Sequence, residues 1–422
     1  MVAVQWRQYD PRASAAAGTG AFTACLAVMS TPPTDLMVAE RDSPVSSVFL
    51  SPAWAGVVAV VVVLTAVRVA FTHSRRGLIT GVGAAGTAVL ATPAAVDIST
   101  AWSVTVAGVG SGLILVTAVT LAHTSRTAFV ALALGAASAY RFSPLVAQQY
   151  PDHFRWSVSL PGDAFFPEPV VPIPVLVVTA VLLASTISMP HVVTRGPRTV
   201  HWRMAAAVGL LWVVYALLGD YSASVGQWTV AAAATVVVIV GAAIGSADSG
   251  AFLCAGLAVA CTFVGGMVWN AWWLVLLAIA GFTVGALAAR WAPSTPVGCC
   301  ILALVCASAL FPYGLVSTVG YAVVLPAAIV YSLLSSRPSD PTITSVGLLI
   351  PTMLAVVTLS APPDRPYEFG WTGSADRILV LDPGTVGSRS VLAVVVATCA
   401  AVVAAGVAAR VDRRNHKQQS PS

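Results

Sequence analysis

Apolar runs long enough to cross a bilayer follow one another along this chain of 422 residues, and the charges fall between them. Only 9% of the residues are charged and 58% are hydrophobic, for a mean hydropathy of +0.87. A soluble protein of this length needs a charged surface, and this chain has too little charge to make one. Lipid is the solvent for most of its length, so the fold class is an all-α polytopic membrane protein.

A hydrocarbon core about 30 Å thick takes roughly 20 apolar residues per helix. On that measure about fourteen helices are expected. The clear runs fall at 53–71, 78–96, 104–122, 128–146, 171–189, 204–218, 228–247, 251–268, 272–289, 297–310, 315–334, 344–359 and 391–409. A weaker, Ala/Gly-rich run at 15–29 follows Arg7 and Arg12. It reads as a first helix, with a signal peptide as the rival.

With the N-terminus inside, fourteen spans return the C-terminus inside. The inner segments then hold Arg75, Arg76, Arg126, Arg195, Arg198, Arg203, Arg290, Arg337 and the cations from Arg410 to Lys417. The outer segments hold only Arg41, Arg155, Arg365, Arg377 and Arg389, and most acids. This is the positive-inside bias, and it would invert if one helix were added or removed. The net charge of +5 therefore reports topology and not a nucleic-acid partner. The expected location is the plasma membrane, with both termini cytoplasmic; the excess of Arg over Lys suggests a GC-rich bacterial genome.

All seven cysteines fall inside the expected spans, away from the outer loops where a disulfide would form. Cys299-Cys300 has no metal-ligand spacing, so the cysteines read as small packing residues. No metal and no cofactor is expected. Glycines are dense: Gly81, Gly83 and Gly86 share one span, and Gly108, Gly110 and Gly112 the next. Small residues let helices approach closely in lipid.

Three outer loops are long: 30–52, 150–169 and 361–390, the last with a short apolar stretch at 378–381 that could form a strand. The basic inner loop 191–203 divides the chain near its middle. This gives an N-terminal six-helix bundle at 13–190, a cytoplasmic linker at 191–203, an additional helix pair at 204–247, a C-terminal six-helix bundle at 250–411 and a disordered tail at 412–422.

Several of these segments together resemble the major facilitator superfamily, and its fourteen-helix drug:proton antiporter branch in particular. The turn Phe71-Thr72-His73-Ser74-Arg75-Arg76-Gly77, followed by Gly81, sits where that family carries its Asp-Arg-x-Gly-Arg-Arg loop. Ala107 to Gly112 is similar to the family's Gln-Gly-x-Gly stretch. Spans seven and eight, joined through Gly226-Gln227-Trp228, look like the branch's extra helix pair, and Ala289 to Pro293 sits where the basic turn repeats. The resemblance implies two helical bundles around a central substrate pathway. The coupling residues do not carry over: the family's loop Asp falls at Phe71, its fourth-span Arg at Val104 and its first-span Asp near Ser30.

Ionisable groups inside a bilayer are costly and so are functional candidates. Arg68 lies a turn from the inner end of its span and can snorkel to headgroups. Asp97 and Asp220 lie at outer helix ends, and Asp248 sits in a short inner turn. Tyr140-Arg141 lies about a turn inside the outer end of span five, which the resemblance assigns to the central pathway. Arg141 reads either as an interfacial anchor or as an anion-binding group. Arg141, Tyr140 and Asp97 are the substrate-pathway candidates of a secondary transporter whose small molecule the sequence does not name. Two other readings stand beside it. Asp35 or Asp42, in the first outer loop, could be the catalytic base of a polyprenyl-phosphate-dependent glycosyltransferase. Alternatively the chain is a non-transporting scaffold for another membrane protein.

Overall fold

The computed structural model describes residues 10–29, 52–73, 76–96, 100–149, 171–187, 206–211, 225–246, 249–265, 273–311, 318–359 and 391–419. Among them all regular structure is helical. In chain order the helices are α1 (Pro11–Met29), α2 (Pro52–His73), α3 (Arg76–Ala95), α4 (Thr100–Ala122), α5 (Arg126–Gln149), α6 (Ile173–Ser185), α7 (Val225–Gly245), α8 (Gly250–Cys261), α9 (Trp273–Trp291), α10 (Thr295–Ser308), α11 (Leu325–Ser335), α12 (Pro341–Leu359) and α13 (Val391–Gln419). Residues 206–211 form a further helical segment. Each expected span thus has its helix. The chain is an all-α, multi-span membrane protein.

The surface is apolar where a soluble protein's would be polar. Val230 and Val237, seven residues apart on α7, are both 70% exposed. Leu276, Ile279, Val284 and Leu287 are exposed along α9. Five stretches are long and apolar enough to cross a membrane: Gly77–Ala95, Trp102–Ala122, Trp228–Gly245, Trp273–Trp291 and Val391–Arg414. Helices α1 and α5 are not among them, and they pack on each other in the interior. A helix shielded by its neighbours has less need of a lipid-compatible face.

Helix α1 packs against α4, α5 and α6; α2 and α3 pack on α4. Helix α8 is surrounded by α7, α10, α11, α12 and α13, and α9 lies on α11. These two sets meet where α12 runs along α2, α1 and α4, and where α11 crosses α5.

Small residues set the spacing. A Cβ on Gly108 would lie 2.5 Å from the Ala55 carbonyl oxygen, and one on Gly112 would lie 2.7 Å from that of Ala59. Helices α2 and α4 are therefore in backbone contact over two turns. Gly81 differs from this pattern, since a Cβ there meets nothing within 4 Å. Five cysteines are buried, but Cys300 and Cys399 are exposed and so face lipid and not a neighbour.

Helix α13 continues to Gln419, through most of the tail expected at 412–422. Once a helix is nucleated each added residue gains a hydrogen bond, and cations near the C-terminal end complement the helix dipole. Several expectations lie outside the described residues: Asp35, Asp42, Asp97, Asp220, Asp248, the linker 191–203 and the stretch 378–381. Arg68 falls on α2 at a position whose side chain is not described.

The close contact between α2 and α4 gives a paired prediction. Gly108→Ala and Gly112→Ala should each destabilise the purified protein by about 1–3 kcal/mol through overpacking. Gly81→Ala, in open space on a helix, should be neutral or slightly stabilising. Thermal unfolding in one detergent compares all three; equal effects would show that α2 and α4 are not so closely opposed.

Candidate functional site

Pro326 explains the most irregular stretch of backbone in the described residues. Proline has no N–H, and its ring crowds the carbonyl four residues back. That carbonyl belongs to Ala322, and the chain widens there into a π turn over Gly320–Val324. The Leu325 N–H bonds the Gly320 carbonyl in the π pattern. The next such bond would run from residue 326 to the Tyr321 carbonyl, and Pro326 has no hydrogen to give. The Tyr321 oxygen is taken instead by Arg141, whose guanidinium donates to it at 2.8 Å.

Arg141 is only 6% exposed. An interfacial anchor would stand in the headgroups; this cation sits inside the protein, between α5 and the π turn. A buried guanidinium needs acceptors to offset its desolvation, and the Tyr321 carbonyl is one. The hydroxyl of Tyr321 in turn donates to the Thr262 carbonyl at 3.4 Å. Thr262 opens the 3-10 turn Thr262–Gly265 that ends α8. Two helices therefore lose α geometry at the same place, and the Tyr321 side chain of one turn bonds the backbone of the other.

The neighbouring side chain continues the junction. Tyr140 is buried and donates its hydroxyl to the Leu348 carbonyl on α12. Its ring stands edge-on to Phe263 of the 3-10 turn, centroids 6.4 Å apart. Cys25 of α1 lies 3.9 Å from the Tyr140 oxygen and 4.0 Å from the Leu348 carbonyl. Pro351, inside α12, removes the donor that the Gly347 carbonyl would otherwise have. Phe142, one residue beyond Arg141, meets Phe282 of α9 at 6.1 Å. Consecutive residues of α5 thus reach α12, the π turn and α9.

Of the substrate-pathway candidates, the structure places Tyr140 and Arg141 together in this junction; Asp97 is outside the described residues. Sequence reasoning missed Tyr321, Thr262 and Cys25. A signal existed for the first: Gly320 followed six residues later by Pro326, inside an apolar run, marks a break in the helix. Thr262 and Cys25 carry no comparable mark.

The helix sets also touch at the face from which α1, α5 and α12 all start. His123, in the turn between α4 and α5, has Nε2 3.2 Å from the Thr344 hydroxyl of α12. Asp340 caps that helix, accepting the Thr342 N–H at 2.8 Å. The Arg337 guanidinium lies 5.1 Å from the centroid of Phe129, and Phe129 stands edge-on to His123. Burial first, then Arg337, pushes the His123 pKa down from 6.5 to about 4, with Asp340 opposing. Burial and Arg126 lower that of Arg337.

No family model matches the chain, and no curated protein does either. Among solved structures, the crystal structure of a POT family transporter in complex with a thioalcohol-conjugated peptide is similar over 96% of both chains, at 11% identity and a TM-score of 0.48. A likeness this loose says nothing of what the present chain handles.

The His123 contact has a pH signature. A histidine held neutral in the folded state, with a pKa near 4 against 6.5 unfolded, takes up its proton more readily when unfolded. Its contribution is intact above about pH 6.5 and is lost as pH falls toward 4. The melting temperature of the purified protein should fall over that window, and His123→Asn should flatten part of the fall. An identical slope in the variant would contradict the buried, neutral imidazole.

Proposed function

We propose that this chain is a secondary membrane transporter of the major-facilitator type, with its pathway along the seam where α5 faces α11 and α12. The observation that carries this reading is the coincidence of three costly features: a buried cation, a π turn and a 3-10 turn, all meeting at Arg141, Tyr321 and Thr262. Irregular backbone at membrane depth persists where it is enclosed by protein or lines a cavity. Transporters place such breaks at their binding sites, and an intramembrane cation is by default a functional group.

In this arrangement the Tyr321 carbonyl occupies Arg141. Parting of the two helix sets would release the guanidinium to water and to an anionic group on a substrate. Tyr140, hydrogen-bonded across the same seam, would part with it. Asp97 remains a pathway candidate on sequence grounds. Val104 and Ser30, where antiporters carry charge, favour transport without steep dependence on the proton gradient. The face from which α1, α5 and α12 start is the cytoplasmic one in this reading, as the arginines of the inner segments require. Labelling of Gly196→Cys from outside intact cells would contradict that orientation.

A second reading, a transporter-like scaffold that carries nothing, is favoured by the closure of the seam at several levels: His123 with Thr344, Tyr140 with Leu348, and Arg141 with Tyr321. Arg141 separates the two. If it serves a pathway, Arg141→Ala should abolish binding of an anionic ligand by the folded protein, and Arg141→Lys should restore it only in part because the planar fork is lost. If it only ties the seam, Arg141→Ala should lower thermal stability and leave ligand binding unchanged. Melting temperature and binding across a panel of small anions, measured on both variants, decide between them.

A further inference from the structure

Helix α13 is longer than a bilayer needs. Its 29 residues span about 44 Å at 1.5 Å per residue, against a hydrocarbon core of about 30 Å. The excess lies at its C-terminal end, where the apolar run stops at Arg410. Arg410, Arg413 and Arg414 are all exposed. Their spacing of three and four residues puts them on one face of the helix, and Lys417 occupies the next position of the same register. The opposite face is fixed against the protein: Val411 is 3% exposed, and Ala408 and Ala404 are fully buried. Packing thus sets the rotation of α13, and the rotation aims the basic face outward at headgroup depth.

We propose that this extension is a binding surface for anionic phospholipid headgroups. Charge complementarity and depth support the assignment. The cations stand on a helix already rooted in the bilayer, within reach of the phosphates of neighbouring lipids, and a guanidinium grips phosphate through two donors at once. Clusters of this kind directly after a span attract anionic lipid. The surface also accounts for the helical state of a stretch whose composition alone suggests disorder: bound headgroups would offset the repulsion between like charges on consecutive turns.

The test uses the full chain, purified in a neutral detergent and titrated with short-chain phosphatidylglycerol or phosphatidylcholine, with melting temperature as the readout. Phosphatidylglycerol should stabilise the protein at lower concentration than phosphatidylcholine, and salt should weaken the effect. At about fivefold per cation, Arg413→Gln/Arg414→Gln should raise the phosphatidylglycerol midpoint roughly 25-fold. The single variant Arg410→Gln, less disruptive to folding, should raise it about fivefold. Arg290→Gln, on an exposed arginine at the end of α9, should leave it unchanged. Equal response to the two lipids, or an Arg290→Gln effect as large as that of Arg410→Gln, would overturn the proposal.

Discussion

In lipid, apolar side chains gain little by leaving their surroundings, so these helices associate only where their backbones come close enough for dense van der Waals contact. Everything else in the structure depends on that approach. Gly108 and Gly112 let α4 rest on the Ala55 and Ala59 carbonyls of α2. On the other side, Gly18 of α1 lies within 3.4 Å of Ala131 once a Cβ is imagined on it, and Gly135 continues the same contact. Six alanines line the buried side of α1, together with Thr23, Cys25, Leu26 and Val28.

Close packing leaves little room for polar groups, which makes the exceptions informative. The junction around Tyr140 and Arg141 places a phenol, a guanidinium and a thiol in the seam between two sets of helices. The backbone supplies most of their partners: the Leu348 carbonyl for Tyr140, and for Arg141 the Tyr321 carbonyl in the turn that Pro326 disturbs. Pro326 therefore does more than bend the chain: it cannot give the Tyr321 carbonyl the next π-pattern bond, and Arg141 of α5 donates to that oxygen. The seam also carries apolar packing: α12 lies along α2, where a Cβ on Gly56 would meet Met353.

The number and order of helices were legible because a bilayer imposes one length and one kind of residue on every span, from 53–71 to 391–409. The buried state of Arg141 was not. Sequence places it near a helix end, where an arginine commonly reaches the headgroups; only the position of the π turn, contributed by a segment 180 residues away, shows that it turns inward. The same holds for Cys25, an unremarkable small residue until α12 brings Leu348 beside it. The extent of α13 into the segment 412–422 was not legible for the opposite reason. Its polar composition suggested disorder, but it inherits helical geometry from the span it continues, and composition does not register that inheritance.

The central claim is that α5 and the turn before it face α12 across the seam. Cysteine cross-linking in native membranes tests it most directly. His123→Cys with Thr344→Cys, where the wild-type imidazole reaches the Thr344 hydroxyl at 3.2 Å, should be bridged by a short bifunctional methanethiosulfonate that makes up the length of the lost imidazole, and released on reduction. Ser14→Cys with Thr127→Cys, within the first helix set and 3.3 Å apart, serves as the reference pair. Comparable cross-linking of both pairs is the predicted result. Efficient cross-linking of the reference pair with none between residues 123 and 344 would contradict the seam.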